Sequence, residues 1–314
     1  MKKLIIATRG SKLALWQSNH IKGLLEKAHP KLKIELKIMK TKGDKILDTP
    51  LAKIGGKGLF TKELEDAMLE GNAHMAVHSL KDVPTEFPKG LVLSAITKRE
   101  DVRDAMLSQK YPSIDELPKN AVVGTTSLRR RMQLLQVRPD LTIKNLRGNV
   151  DTRIRKLKDG EYDAIILASA GINRLGLNAS VNYFTPIGIT VMIPAMGQAA
   201  LGIESIDDKK IKEIVSVLHD EKAYIETRVE RDFVEILQGG CQVPIGVNAQ
   251  LRDSEIQTRA IVGLPDGSEI IREKVVAPKS DYKMVGKELA DVMVENGAIK
   301  LLKRAEEIAL RDIL

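Results

Sequence analysis

"KLIIATRGSKLAL" (residues 3–15) and "AVVGTTSLRRRM" (residues 121–132) follow one plan. Each runs an apolar strand into a polar turn, places a serine at the end of the turn and continues as a helix. Serine suits that point because its hydroxyl accepts a hydrogen bond from a free backbone N–H of the first helical turn. The likeness falls short of a repeat, but it points to two lobes of similar design facing one another. Around the first stretch, periodicity predicts a helix over 11–29, a strand over 31–40, a helix over 60–71 and strands over 73–79 and 91–96. The pattern restarts after "KREDVRDA". Around the second stretch it predicts a helix over 127–137, a strand over 141–146, a helix over 149–160 and a buried strand over 163–169. Strands alternating with helices imply α/β lobes with doubly wound, largely parallel sheets.

The last third changes character. Helical text covers 207–237, and strands follow over 241–251 and 255–264. "PDG" (265–267) makes a hairpin turn into "SEIIREKVV". An amphipathic helix runs from 281 to the end. The expected product is a small α+β domain, an antiparallel three-stranded sheet with helices on one face.

A chain of 314 residues exceeds one ordinary core, so two or three domains are expected. Arg9 interrupts the apolar start too early for a secretory signal, and no apolar run reaches the ~18 residues of a membrane span. A single cysteine excludes an internal disulfide and suits a reducing cytoplasm. His74 and His78 lie four apart, but no neighbouring Glu or Cys completes a zinc pattern, so the pair reads as structural and no metal is expected. The net charge of +8 calls for an anionic partner, with nucleic acid the default. Against nucleic acid, aromatics form only 3% of the chain, which leaves few stacking platforms.

The positions of the arginines explain the charge better. Arg9 ends the first strand and Ser11 opens a helix; Thr126, Ser127, Arg129 and Arg130 repeat the arrangement in the second lobe. Arg147 ends the next strand, Asn149 is placed to cap the following helix, and Arg153 lies just inside it. Cations near a helix N-terminus oppose the macrodipole, so their repetition there suggests a bound anion held by guanidinium forks, hydroxyls and backbone N–H groups. The expected ligand is a polyanion, with a polycarboxylate favoured; "GGKGLFTKE" lacks Walker spacing, so no Walker loop is present. Arg131, Arg138 and Arg155 read instead as a solvated helix face.

Asp82, in "HSLKDVPTEFP" (78–88), follows a strand and Lys81 at the mouth of this cleft, with Val83–Pro84 holding the chain extended. It is either a turn aspartate or a catalytic carboxylate. Cys241, in "GGCQVPIG" (239–246), is either a small buried hydrophobe or a thiol placed for chemistry at a domain boundary.

Together "ATRGSKLALWQ", "KGDKILDTPLAKIGGKGLFTKELE", "AVHSLKDVPTEFPKGL", "GTTSLRRRMQL", "RPDLTIKNLRGNVDTRIRKL", "EYDAIILASAGINRLGL", "IPAMGQAALGIE" and "GGCQVPIG" resemble the porphobilinogen deaminase (hydroxymethylbilane synthase) family, in its order, over residues 5 to 246. The resemblance implies two α/β lobes like type II solute-binding proteins plus the small α+β domain. It divides the chain into 1–98 with 195–218, then 99–194, then 219–314. It also implies a cytoplasmic, monomeric transferase of haem biosynthesis that joins four porphobilinogen molecules head to tail with loss of ammonia. The product, linear hydroxymethylbilane, is released by hydrolysis from a covalent dipyrromethane primer. By the same resemblance Cys241 carries the primer through a thioether, because a thiolate can capture the electrophilic methylene left when ammonia departs.

Each pyrrole adds an acetate and a propionate, which accounts for the cations without nucleic acid. The resemblance assigns Lys81, Asp82, Thr126, Ser127, Arg129, Arg130, Arg147 and Gly148 to the cofactor. It assigns Arg9, Ser11, Gln17, Arg147, Asn149, Arg153 and Arg174 to substrate; Arg174 comes from the match of "AGINRLGL" alone. Lys53 and Lys57 in the Gly-rich loop are candidates for a lid, and Asp82 is the catalytic group. Gly10 and Lys12 stand where relatives often carry a polar residue and Pro, and Ala199 stands where they carry Gly. Two other readings compete: a non-catalytic two-lobed anion-binding protein, and a nucleic-acid binder. Neither gives Asp82, Cys241 and the arginines a common task.

Overall fold

The computed structural model describes residues 1–41, Gly43, 61–238 and 243–311. In chain order, the first lobe is β1 (Lys3–Arg9), α1 (Lys12–Ala28), β2 (Lys33–Met39), α2 (Lys62–Leu69), β3 (Met75–Ser79) and β4 (Leu91–Ile96). The second is β5 (Asp104–Ser108), β6 (Val122–Gly124), α3 (Leu128–Val137), β7 (Thr142–Lys144), α4 (Val150–Lys158), β8 (Ala164–Ala168), α5 (Ser169–Leu175) and β9 (Tyr183–Pro186). The chain then returns to the first lobe as β10 (Leu201–Ile206) and α6 (Lys209–Val215). It ends with α7 (Glu221–Ile236), β11 (Ile245–Arg252), β12 (Glu255–Gly263), β13 (Ile270–Pro278), α8 (Tyr282–Glu295) and α9 (Ala298–Arg311).

The two lobes share one topology. The first sheet has order β2-β1-β3-β10-β4 and the second β7-β6-β8-β5-β9. In each, three strands run parallel and the fourth in the row is antiparallel to both its neighbours. Those fourth strands, β10 and β5, are where the chain crosses between lobes. Helices cover both faces of the first sheet: α1 and α6 pack Ile21, Leu25, Ile211 and Val215 on one side, and α2 packs Leu64, Ala67 and Met68 on the other. The expected two-lobed α/β fold with a small third sheet is therefore met. β5, β9 and β10 are additions that periodicity did not predict.

In the third unit, β11-β12-β13 form an antiparallel sheet. Val247, Ala260 and Val262 pack against Phe233, Leu289, Met293 and Leu301 of the helices. The opposite face meets the second lobe, where Ile261 joins Met132 and Ile193. Two expectations need correction. The strand predicted from Cys241 starts at Ile245, after Pro244, whose ring lacks the N–H a ladder needs. The C-terminal helix is two helices broken at Gly297, which has φ +93° and ends α8 as glycine commonly does.

Candidate active site

One side of the cleft grows from the end of β3. Leu80–Asp82 form a single 3₁₀ turn whose Leu80 side chain is fully buried. The backbone N–H of Leu80 donates to Ala200 O (3.0 Å), and Gly197 lies so close that a Cβ there would meet Leu80 at 2.9 Å. Gly197 also has φ +66°, so both space and conformation demand glycine. Beyond the turn, Arg231 of α7 donates to the carbonyls of Val83 (3.2 Å) and Pro84 (2.6 Å). The turn is thus clamped from two directions, and Asp82 stands exposed on its outer side. Lys81 beside it is half-buried and donates to Gln198 Oε1 (3.4 Å). Burial pushes its ammonium pKa down, Asp82 and Asp104 oppose that, and Arg130 and Arg129 add to it.

The facing side grows from the ends of β6 and β7. Ser127 caps α3, its Oγ accepting from Arg130 N (3.4 Å), as Ser11 caps α1 by accepting from Ala14 N (3.3 Å). Thr126 Oγ1 donates to Leu146 O (3.4 Å), tying the β6 turn to the β7 turn. Arg129 and Arg130 are buried, and both converge on Asp104, the first residue of β5. Arg129 donates to Asp104 Oδ2 (2.7 Å) and Ile193 O (2.7 Å). Arg130 donates to Asp104 Oδ1 through Nε (3.0 Å) and a terminal nitrogen (2.7 Å), and to Ile166 O (2.9 Å). Burial opposes ionisation of Asp104, yet the two guanidiniums hold its carboxyl well below the ordinary carboxylate range. Gln198 completes the group, donating to Asp104 Oδ1 (3.1 Å) while its oxygen accepts from Lys81. One carboxylate therefore serves two arginines and, through Gln198, the lysine of the other side.

At the start of α4, Gly148 has φ +109° and no room for a Cβ, which would meet Thr152 at 2.7 Å. Its carbonyl accepts from Arg153 Nε (2.8 Å). Arg153 is drawn down to about 10 by burial and then by the cations Arg130 and Arg147. Asn149 occupies the N-cap position of α4, but its side chain makes no capping bond, contrary to its expected capping role. Across the mouth, Lys12 at the start of α1 pairs with Asp151 of α4 (2.7 Å).

The structure thus brings Lys81, Asp82, Arg129, Arg130, Arg147, Gly148 and Arg153 to one region, with Thr126 and Ser127 at its edge. Two expected ligands are also tied to the frame. Gln17 is buried and donates to Ser79 Oγ (3.0 Å), and Arg174 donates to Ala199 O (2.6 Å). Arg9 ends β1 beside the Ser11 cap. Arg138 departs from the solvated face expected for it: it forks onto Asp140 and donates to the carbonyls of Ile114 and Leu117. Cys241, Lys53 and Lys57 lie outside the described residues. His74 accepts from Ile5 N and His78 pairs with buried Glu204 (2.9 Å), both structural contacts.

Residues missed in the sequence are Asp104, Gln198 and Glu230. Glu230 of α7 accepts an Arg99 fork (2.8 and 3.0 Å) and the Gly197 N–H (2.7 Å), binding both crossover segments to the third unit.

Comparison with known proteins gives a consistent result. Residues 4–213 match the family described as "Porphobilinogen deaminase, dipyromethane cofactor binding domain", and residues 224–295 match "Porphobilinogen deaminase, C-terminal domain". The chain is 65% identical to the porphobilinogen deaminase of Campylobacter curvus, over 98% of this chain and 99% of that one. It is also 65% identical to that of a Nitratiruptor species, over 99% of each. Among solved structures, a nutrient-binding protein from Burkholderia cenocepacia overlaps 71% of this chain and 95% of its own at 13% identity, with a TM-score of 0.43.

Proposed function

The chain belongs to the porphobilinogen deaminase family, and from that premise we propose how its own residues divide the work. The protein is a transferase of tetrapyrrole biosynthesis, and the family reaction condenses four porphobilinogen molecules with release of ammonia before hydrolysis frees the linear product. When bound, the dipyrromethane cofactor supplies the pyrrole end to which units are joined, and Cys241 is the residue we assign to its thioether.

One observation carries the assignment of the binding side. Arg130 of α3 and Arg147, just ahead of α4, both act on Arg153, and among the described residues these two cations are the charged groups that shift it. A carboxylate bound beside Arg153 would offset the repulsion that Arg130 and Arg147 exert on it. A primer with an acetate and a propionate on each ring fits this donor set, with Gly148 letting the backbone approach. Arg129, Arg130, Arg147, Gly148, Thr126, Ser127 and Lys81 hold the primer. Arg9, Ser11, Gln17, Asn149, Arg153 and Arg174 serve the incoming unit, and Lys53 and Lys57 serve as a lid.

Asp82 does the repeated chemistry. Loss of ammonia and ring coupling both place positive charge on pyrrole nitrogens. A fixed, exposed carboxylate accepts those N–H bonds, stabilises the charge as it develops and takes up the proton released afterwards. Lys81 and the Arg231 clamp fix where that carboxylate stands. We further propose a cytoplasmic monomer that binds no nucleic acid, divided into 1–98 with 195–218, 99–194 and 219–314. The three separate sheets support that division. Among the described residues no helix is long and apolar enough to cross a membrane.

Intact mass tests the assignment. Purified protein is expected to exceed its sequence mass by two linked pyrrole units, and Cys241→Ser to lack that increment. If protein incubated with porphobilinogen released no ammonia, catalysis would be excluded and a non-catalytic anion-binding role would replace it.

A further inference from the structure

The segment that returns the chain from the second lobe to the first carries Gln198, a fully buried side chain. Its backbone is held from two directions. Gly197 N donates to Glu230 Oε2 (2.7 Å), and the carbonyl of Gln198 accepts from Arg99 Nε (3.1 Å). Gly197 and Ala199 on either side have φ +66° and +76°, so the residue between them leaves a sharp turn at a set point. The amide nitrogen spends both hydrogens, on Val102 O (2.8 Å) and Asp104 Oδ1 (3.1 Å). Both partners only accept, which fixes the amide with its oxygen toward Lys81 Nζ (3.4 Å).

The two ends of this amide belong to different lobes. Asp104 begins β5 and gathers Arg129 and Arg130, whereas Lys81 lies beside Asp82 on the turn after β3. An amide meets both without adding charge, since it donates to the carboxylate and accepts from the ammonium. An apolar side chain of the same length would leave both contacts unmade. Among the described residues, the charged groups that act on the ammonium are Asp82, Asp104, Arg129 and Arg130. Burial lowers its pKa most, and an acceptor at Oε1 favours the charged form against that burial.

We infer that Gln198 is a positioning residue for the reaction: its amide holds the Lys81 ammonium beside Asp82, at a place set from the second lobe by Asp104. The inference rests on the reading above that Lys81 and Asp82 serve the primer and its chemistry. It adds a part that touches neither primer nor substrate and acts through Lys81 alone. The backbone bond from Leu80 N to Ala200 O ties the same turn to the same crossover, so the lysine is fixed at its main chain and at its tip.

The test is a double-mutant cycle in the primer-bearing enzyme, read as kcat/KM for ammonia release. Lys81→Met is expected to lower it about tenfold or more, and Gln198→Met, which keeps the length of the side chain, about fivefold. In the Lys81→Met background, Gln198→Met is expected to change nothing further. An equal loss from Gln198→Met in both backgrounds would make Gln198 part of the frame only and overturn the inference. Wild-type kcat/KM in Lys81→Met would overturn the reading of Lys81, and this role with it. A second measurement reads the contact itself, as the pH dependence of Lys81 acetylation by acetic anhydride, followed by peptide mass. The midpoint is expected to fall in Gln198→Met and to stay at or above the wild-type value in Gln198→Glu, which keeps an acceptor toward Lys81. An unchanged midpoint in Gln198→Met, or a lowered one in Gln198→Glu, would overturn the inference whatever the role of Lys81.

Discussion

The two lobes share a strand–serine–helix device, at Ser11 and Ser127, but equip their sides of the cleft differently. The first lobe offers an exposed carboxylate, Asp82, on a turn clamped by Ala200 and Arg231. The second offers arginines, and these fall into two kinds. Arg129 and Arg130 are buried against Asp104, whereas Arg153 sits among other cations. On the proposed reading, the difference separates a proton-handling side from a charge-holding side. Within the latter it separates guanidiniums paired with a carboxylate of the protein from one shifted by neighbouring cations.

Substitutions can break or sharpen that division. The largest effect is expected at Asp82: Asp82→Asn lowers turnover by about 10²–10⁴-fold, the usual worth of a general acid–base group, and leaves the primer mass in place. Next is the buried carboxylate. Asp104→Asn leaves two interior guanidiniums without their counter-charge and is expected to cost about 3–5 kcal/mol in urea unfolding. If it unfolded like wild type, Arg129 and Arg130 would not depend on Asp104 for their burial. With Arg153 on the binding side as proposed, Arg153→Gln is expected to raise KM about tenfold or more while kcat changes little; an unchanged KM would remove Arg153 from the binding side.

Smaller effects probe the crossover and the mouth of the cleft. Ala199 has φ +76°, the left-handed region a non-glycine residue enters at a cost, and its carbonyl accepts from Arg174 and from Glu100 N. Ala199→Gly is expected to gain up to about 1 kcal/mol in thermal unfolding; a loss would show that Ala199 packing outweighs strain. Lys12→Ala removes the exposed Asp151 pair across the mouth and is expected to cost only a few tenths of a kcal/mol.

What the sequence revealed follows the range of each signal. Ser11 and Ser127 were legible as caps because a cap is settled within three residues, and the strand–helix alternation exposed both lobes. β5 and β10 were not, since each is a short strand whose antiparallel place is set by partners distant in sequence. Asp104 shows the same limit at the site. In "VRDA" it reads as loop punctuation, and its partners lie 25, 26 and 94 residues onward. The break at Asn296–Gly297 did have a local sign, a glycine after an asparagine, overridden by the amphipathic pattern on both sides. Asp82 and Cys241 stayed ambiguous in isolation because neither a turn aspartate nor a lone cysteine has a spacing of its own.

The division of labour is tested most directly by steady-state ammonia release from Asp82→Asn and Arg153→Gln measured side by side, each confirmed to carry primer by intact mass. The expected result is a split: Asp82→Asn loses kcat with KM near wild type, and Arg153→Gln raises KM with kcat near wild type. Wild-type kcat in Asp82→Asn would contradict the assignment of the chemistry to the first lobe.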